Sequence, residues 1–204
     1  MIWLLYMPLN FIIMILCYLT NWFVCLFCNE EGELPEIFSL WQTWDDSCNP
    51  RFFIMEGHIP NWLKYDYDKH YEEYWDTTPA LAEVGRNRCF ARVIDDNFTI
   101  KERIQRYICR VLWLTRNCAY GFAFWGFGRK VDGKNMVYIR DEEKLRFSYD
   151  KSRNILTRPW SYQDERHLFG NVYLNIYIGW KISKDDTVRQ CMIASRPFAL
   201  HFEK

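Results

Sequence analysis

The chain has 204 residues, enough for one domain or for one domain with an appendage. Its 26 basic and 26 acidic side chains give a formal net charge of zero, which excludes a global electrostatic attraction to nucleic acid or to an anionic surface. Aromatic residues make up 19% of the chain, and such side chains fill protein cores and also concentrate where a protein meets lipid headgroups.

Residues 1–28 contain no Asp, Glu, Lys, Arg or His, so every charge in the chain follows Phe27. Residues 9–28 supply roughly the 20 apolar positions that a helix needs to cross a bilayer, with only Asn10, Thr20 and Asn21 as polar interruptions. We therefore expect residues 1–28 to be a membrane anchor, and favour a single span over a hairpin. The side chains expected to contact lipid are Leu9, Phe11, Ile12, Ile13, Ile15, Leu16, Leu19, Trp22, Phe23 and Leu26.

Two other interpretations of this segment are a cleaved signal peptide and a buried core helix. A signal peptide carries basic residues at its start and small residues at its cleavage site, and residues 1–28 have neither. A core helix rarely stays uncharged over such a length. Both interpretations are therefore weaker than membrane insertion.

The positive-inside rule gives no orientation here, because no Lys or Arg precedes Arg51. The side of the membrane is therefore inferred from the cysteines. Cys48, Cys89, Cys109, Cys118 and Cys191 lie outside the apolar segment, and an odd number without a repeating framework is typical of free thiols in a reducing compartment. We expect a cytoplasmic domain. Inside the anchor, Cys25 and Cys28 have the spacing of a redox or zinc pair, but their place favours lipid-facing or acylated thiols.

Residues 29–60 are expected to form a juxtamembrane interfacial segment, and residues 61–204 a soluble α+β domain. Within the first of these, Pro35 precedes a short helix over residues 36–44, whose apolar residues recur near helical spacing. This helix can lie at the membrane interface or pack on the domain, and the sequence favours neither.

The strongest helix outside the anchor is predicted over residues 99–117, capped by Asn97 or Thr99 and with Glu102 in its first turn. Apolar residues occupy one arc of this helix, while Arg103, Arg106 and Arg110 form a separate stripe. A basic amphipathic helix can lie on anionic lipid. The alternative is an ordinary helix that faces the core, with arginines that are solvated or paired with acidic residues elsewhere. The apolar arc consists of Ile100, Ile104, Tyr107, Ile108, Val111, Leu112 and Leu114.

The C-terminal third is predicted to be an antiparallel β-meander. Residues 136–140 and 145–149 are two short strands, and apolar and polar residues alternate strictly over residues 172–182 before a return strand at 188–195. Packed on the 99–117 helix, such a sheet gives an α+β fold with an N-terminal membrane-inserted helix. The apolar run 118–128 is too short to span a bilayer as a helix and suits a buried strand or an interfacial segment.

Catalytic and metal-binding patterns are weak. The acidic stretch around Asp66, Asp68 and His70 lacks the pattern of a calcium loop, and the four histidines have no metal-ligand spacing, so we expect no cofactor and no metal. An enzyme that acts on lipid or envelope substrates would need convergent carboxylates, for which Asp45, Asp46, Asp66 and Asp68 are the candidates.

Two short motifs support a resemblance to a known family. Residues 41–45 read W-Q-T-W-D after an anchor that contains Y-L-T-N, and residues 113–122 read W-L-T-R-N-C-A-Y-G-F. The chain resembles a family of uncharacterised small membrane proteins of tailed bacteriophages, although Trp22, Trp44 and Cys118 stand where that family has proline. The resemblance implies a phage origin and a bacterial inner membrane, and it assigns no catalytic residues.

Together these features predict a membrane-anchored, non-enzymatic interaction protein that contacts the bilayer and a host or phage membrane protein, without nucleic acid or metal. A membrane-associated enzyme is the second hypothesis, and a structural or lysis-related membrane protein is the third. The candidate surface for lipid or a partner comprises Trp41, Trp44, Arg103, Arg106, Arg110, Trp113, Arg116 and Tyr120.

Overall fold

The computed structural model describes residues 2–43, 46–76, 88–118, 120–122, 129–131, 135–141, 144–156, 158–170, 172–181 and 189–202. The chain divides into two compact units. The sheet unit contains the first residues of the N-terminal helix and the C-terminal strands, from Phe122 to His201. The helical unit runs from Met14 to Gly121 and takes in the rest of that helix.

The apolar segment forms one helix, α1, over Ile2–Val24, which a short 3-10 helix extends over Cys25–Phe27. Among the described residues it is the one helix long and apolar enough to cross a membrane, over Leu4–Phe27. Core helices of soluble proteins and signal sequences share this length and composition, so the placement of its side chains has to discriminate among the three.

The helical unit joins several short elements before its long helix. Two 3-10 helices cover Glu36–Trp41 and Asn61–Leu63, and two short α-helices, α2 and α3, cover Arg51–Met55 and Tyr67–His70. A hairpin of β1 (Tyr71–Asp76) and β2 (Arg88–Val93) follows, and the long helix α4 covers Ile100–Arg116. One core cluster holds these elements together, and it includes Val24 and Cys25 from the end of α1.

Helix α4 begins as the sequence predicts. Thr99 is the N-cap, its hydroxyl accepts from the amide of Glu102, and the Glu102 carboxylate accepts from the Thr99 amide, which makes a complete capping box. Asn117 ends the helix as its C-cap residue. The predicted helix over residues 99–117 is therefore confirmed.

The sheet unit contains six antiparallel strands in the order β3-β8-β7-β6-β5-β4. Strands β4 to β8 form a meander along the chain, and β3 adds at the far edge beside β8. Ser148 and Ser161 are buried where β5 pairs with β6, and their hydroxyls hydrogen-bond across the ladder at 2.6 Å. The strands are β3 Arg129–Val131, β4 Met136–Asp141, β5 Lys144–Asp150, β6 Trp160–Phe169, β7 Val172–Lys181 and β8 Arg189–Phe202.

The α+β class, the N-terminal apolar helix and the antiparallel sheet agree with the sequence predictions. Three details differ. The helix expected over residues 36–44 is a 3-10 helix that ends at Trp41, and residues 71–76 form a strand that was not predicted. Helix α4 belongs to the helical unit, whereas the strands that it was expected to cover belong to the sheet unit. Of the apolar run 118–128, residues 119 and 123–128 lie outside the described residues.

Candidate membrane interface

Helix α1 exposes its large apolar side chains instead of burying them. Ile12 is 63% exposed and Leu19 is 67% exposed, and of the ten side chains predicted to contact lipid only Ile13 is half-buried. We call this exposed side of α1 its outer arc. It consists of Leu4, Leu5, Leu9, Phe11, Ile12, Ile15, Leu16, Tyr18, Leu19, Trp22 and Phe23, together with Leu26 and Phe27, which continue it into the 3-10 helix.

The opposite side of α1 is buried, and it carries the two asparagines Asn10 and Asn21 beside Met14, Cys17 and Val24. Met14, Cys17, Asn21 and Val24 are buried at spacings of three and four residues, which places them on one helical face. The side-chain amide of Asn21 donates to the Thr115 hydroxyl at 3.4 Å. A helix that packs through its polar side and exposes its apolar side has the reverse of the polarity normal for a soluble protein.

Helix α4 shows this reversed polarity only in part. Of the seven residues of its predicted apolar arc, three are exposed: Ile100 is 80% exposed, Ile104 is 56% exposed and Leu112 is also exposed. Tyr107, Ile108 and Val111 are half-buried against the core, and from this arc only Leu114 is fully buried. The side that α4 turns inward carries Gln105, Arg106, Cys109, Arg110 and Trp113.

The two inward arginines bind the turn that follows α1. Arg106 and Arg110 are only 6% and 5% exposed. Arg110 donates to the Glu30 carbonyl at 2.9 Å and to the side-chain oxygen of Asn49 at 2.8 Å, while Arg106 forms an ion pair with the Glu30 carboxylate. The same carbonyl accepts from the Tyr71 hydroxyl at 3.0 Å and from the Asn49 amide at 3.2 Å. These contacts satisfy the buried charges and fix the exit of α1 to the rest of the helical unit.

The charge of Glu30 is stabilised by this arrangement. Partial burial on its own would raise the pKa of Glu30, but the hydrogen bond from Arg106 and the charges of Arg106, Arg110 and Arg103 lower that pKa below its usual range. The carboxylate is therefore ionised at neutral pH and balances the arginines that α4 buries.

The outer arc continues sideways into the 3-10 helix Glu36–Trp41 through a chain of aromatic rings. Phe23 contacts Phe27 at 5.1 Å between ring centroids, Phe27 contacts Phe38 at 5.3 Å, and Phe38 contacts Trp41 at 5.8 Å. The Trp41 indole donates to the Thr20 hydroxyl at 2.9 Å. The 3-10 helix is thereby attached along one edge of the outer arc.

The remaining residues of the predicted lipid or partner surface have mixed positions. Arg103 is exposed, 4.0 Å from the Glu30 carboxylate, while Trp113 and Tyr120 are buried. Arg116 is half-buried with its guanidinium over the Phe53 ring. Trp44 lies outside the described residues. The burial of Arg106 and Arg110 removes their guanidinium groups from the surface, because Glu30 and Asn49 bind them inside the fold.

The cysteines at the end of α1 are not turned towards the outer arc. Cys25 is buried in the core cluster, and Cys28 is half-buried with its thiol hydrogen-bonded to that of the buried Cys48. This hydrogen bond raises the pKa of Cys48, which burial raises further. The cysteines whose side chains the structure describes are free thiols: Cys17, Cys25, Cys28, Cys48, Cys89, Cys109 and Cys118.

The acidic residues weighed as catalytic groups have structural partners. Asp66 caps α3 by accepting from the Lys69 amide, and Asp68 forms a two-point ion pair with Arg51 at 2.8 and 3.1 Å. The Asp46 carbonyl accepts from the Gln42 and Thr43 side chains. Asp45 lies outside the described residues, and within those residues no group of three His, Cys, Asp or Glu side chains could hold a metal ion. The enzyme hypothesis stays a prediction.

Sequence reasoning missed the polarity of the two helices, although part of the signal was present. Asn10, Cys17 and Asn21 lie on one face of α1, at intervals that a helix brings to one side, and such a run in an apolar helix marks the side that packs on protein. The partners of Arg106 and Arg110 carried no such signal, because Glu30 and Asn49 lie far away in the sequence.

The architecture defines an α+β protein with one long apolar helix whose polar side packs on the protein. The chain belongs to a family of unknown function, DUF7338, whose model matches residues 1–203. No curated protein and no solved structure is significantly similar to it.

Proposed function

We propose that this protein is a membrane-anchored, non-enzymatic interaction protein, and that its apolar face, the outer arc of α1 together with the exposed residues of α4, contacts the hydrocarbon of a bilayer. One observation carries the proposal: α1 exposes its large apolar side chains along one whole side and buries Asn10 and Asn21 on the other. Helix α4 adds exposed Ile100 and Ile104 while it buries Arg106 and Arg110. In lipid, small and polar residues mediate contacts between helices while large apolar residues face outward.

The amount of exposed apolar surface favours contact of these side chains with a membrane over contact with water. Fully removing one Leu, Ile or Phe side chain from water contributes about 1.5–3 kcal/mol, and the outer arc alone presents a dozen exposed residues. Monomeric soluble proteins rarely expose a continuous apolar patch of this kind.

The two other interpretations of α1 fit its contacts less well. A core helix would bury Ile12 and Leu19, which are among the most exposed side chains of α1. A signal peptide is removed from the mature protein, whereas Cys17, Asn21 and Val24 are buried in this fold and the Trp22 carbonyl accepts a hydrogen bond from Tyr107.

The location and the partner are further parts of the proposal. The resemblance to phage membrane proteins favours a bacterial inner membrane, and the free thiols favour a domain on the cytoplasmic side. There the protein would present its polar surface to a host or phage protein at the membrane.

The test is alkaline carbonate extraction of membranes from cells that express the full chain, followed by flotation on lipid vesicles. We expect the unaltered chain to stay with the membrane and the Ile12→Lys/Leu19→Lys variant to be released, because charge is costly in hydrocarbon. A matched control is Trp75→Lys/Ile94→Lys, which alters two exposed apolar residues at the β1–β2 hairpin and should leave binding unchanged. Carbonate release of the unaltered chain would contradict the proposal, and so would equal release of the two variants.

A further inference from the structure

Cys28 and Cys48 bring two thiols together at the point where the chain leaves α1. Cys28 is the C-cap residue of the 3-10 helix Cys25–Phe27, and its thiol is hydrogen-bonded to the thiol of Cys48. The 3-10 helix Glu36–Trp41 lies between the two cysteines in the sequence, so the fold and not the local chain brings them together. Two sulfur atoms in hydrogen-bond contact need only a small side-chain movement to reach the length of a disulfide bond.

Backbone and side-chain contacts hold the two cysteines in place independently of their thiols. The Cys48 amide donates to the Gly32 carbonyl at 2.8 Å, and the Asn49 side chain donates to the Glu30 carbonyl at 3.2 Å. Arg110 bridges the same two segments, because it donates both to the Asn49 side chain and to the Glu30 carbonyl. The thiol pair therefore lies together in the folded protein without a covalent bond between its members.

The two thiols differ in their access to solvent and in their roles in the hydrogen bond. Cys48 is only 1% exposed, whereas Cys28 is half-buried. The hydrogen bond raises the pKa of Cys48, which identifies Cys48 as the donor and the Cys28 sulfur as the acceptor. The positive charge of Arg110 lies near both sulfur atoms and favours the thiolate, which is the reactive form. A small reagent therefore meets Cys28 first, with Cys48 in contact behind it.

Cys25 is the competing partner for Cys28, since the two have the spacing of a redox pair. Cys25 is buried in the core cluster, and it lies close enough to Cys28 for the charges of the two sulfur atoms to interact. The hydrogen bond of the Cys28 thiol, however, goes to Cys48. The contact therefore favours Cys48 over Cys25 as the partner of Cys28.

We propose that Cys28 and Cys48 are a redox-active thiol pair, which small-molecule disulfides oxidise to a reversible intramolecular disulfide. Cys28 loses its proton to water, and its thiolate attacks one sulfur of the small disulfide, whose S–S bond breaks and releases a thiolate. That thiolate takes the proton of Cys48. The Cys48 sulfur then attacks Cys28 in the mixed disulfide and releases the second small thiolate, which takes a proton from water. Two electrons pass to the small disulfide, which becomes two thiols, while the protein gains one S–S bond.

The disulfide closes a loop that contains the 3-10 helix Glu36–Trp41. Trp41 of this helix donates to the Thr20 hydroxyl of α1, and Phe38 contacts Phe27. Oxidation therefore fixes the exit of α1 and the 3-10 helix to the helical unit covalently, and reduction removes this constraint. In a reducing compartment the pair stays a dithiol. The pairing does not depend on what covers the outer arc.

The test uses the full chain, purified in a mild detergent, reduced, and equilibrated with glutathione and glutathione disulfide at a series of ratios. Free thiols are then alkylated, and mass spectrometry of proteolytic peptides identifies the linked cysteines. The same series in guanidinium chloride measures pairing in the unfolded chain. We expect a Cys28–Cys48 disulfide that dithiothreitol reverses. The folded protein should form it at a fraction of glutathione disulfide at least about tenfold lower than the unfolded chain, because the fold holds the two thiols together.

Two variants separate this pair from the neighbouring thiol. Cys48→Ser should stop the reaction at the mixed disulfide, so that glutathione stays attached to Cys28. Cys25→Ser is the matched control, a second buried cysteine of the same core cluster, and should still form the Cys28–Cys48 link. A Cys25–Cys28 link in the unaltered chain would overturn the proposal, and so would a pair that oxidises no more readily in the folded protein than in guanidinium chloride. The unaltered chain decides between these outcomes even where a variant does not fold.

Discussion

Arg106 and Arg110 determine how α4 is placed. Arginines three or four residues apart on a helix are usually solvated, and the same spacing is found on helices that bind anionic lipid. Here each has partners that α4 does not provide: the turn at Glu30, the side chain of Asn49 and the hydroxyl of Tyr71. A buried guanidinium needs such a complete set of acceptors, because an unpaired buried charge is costly.

Loss of Arg110 should therefore destabilise the fold strongly. We expect Arg110→Met to lower the free energy of unfolding by about 3 kcal/mol, because it leaves the buried oxygen of Asn49 without its donor. Denaturant unfolding in a mild detergent measures the change. Arg103→Met is the matched control: this side chain is exposed at the same helix and should change stability by no more than about 0.5 kcal/mol. Equal effects of the two substitutions would contradict the account of the buried arginines.

Glu102 makes the stability of the fold depend on pH in the acid range. Hydrogen bonds from the Thr99 side chain and amide, with a smaller contribution from His70, lower the pKa of Glu102 to about 2. Because this folded-state pKa lies below that of the unfolded chain, the stabilisation is complete above about pH 4.5 and is lost as the pH falls towards 2. We expect thermal melting of Glu102→Gln to depend less on pH in that window than melting of the unaltered protein. Parallel pH profiles would rule out this role of the capping box.

The start of α4 and the antiparallel class of the C-terminal sheet were the most predictable features. The start of α4 follows from Thr99 and Glu102, which satisfy its free amides locally, and the meander follows from alternation and charged turns that need no distant information. The direction in which α4 faces could not be predicted, since Ile100 and Ile104 make the same apolar arc whether a core or a bilayer lies opposite. The apolar helix α1 was predicted from its lack of charge, and its buried side was overlooked.

Gly121 marks the place where the chain after α4 passes close to the backbone of Leu40 and Gln42. A Cβ at this position would lie 2.4 Å from the Leu40 carbonyl oxygen, which is backbone and cannot move aside cheaply. We expect Gly121→Ala to cost about 1–3 kcal/mol of stability in the same unfolding measurement. Gly170→Asn is the control, because a Cβ there meets nothing within 4 Å and Asn tolerates its positive φ of 53°. A stable Gly121→Ala protein would mean that the segments are not packed so closely.

At the scale of the whole molecule, the net charge is zero, but charged and apolar residues are segregated along the chain and on its surface. All charges follow Phe27, and the apolar residues that a soluble protein would bury are collected on the outside of α1 and α4. The helical unit keeps its own core, in which Val24 and Cys25 of the α1 end take part. Removing α1 would therefore also open this core, and truncation is a poor test of anchoring compared with single substitutions on the outer arc.

The most direct test of the lipid-facing surface is residue-resolved photocrosslinking in membranes. A benzophenone amino acid would replace Leu19 on α1, Ile104 on α4 or, as the control, the exposed Trp75 of the hairpin, and mass spectrometry would identify what each has captured. We expect phospholipid adducts at positions 19 and 104 and none at position 75. Capture of protein instead of lipid at positions 19 and 104, or equal lipid capture at all three positions, would contradict this expectation.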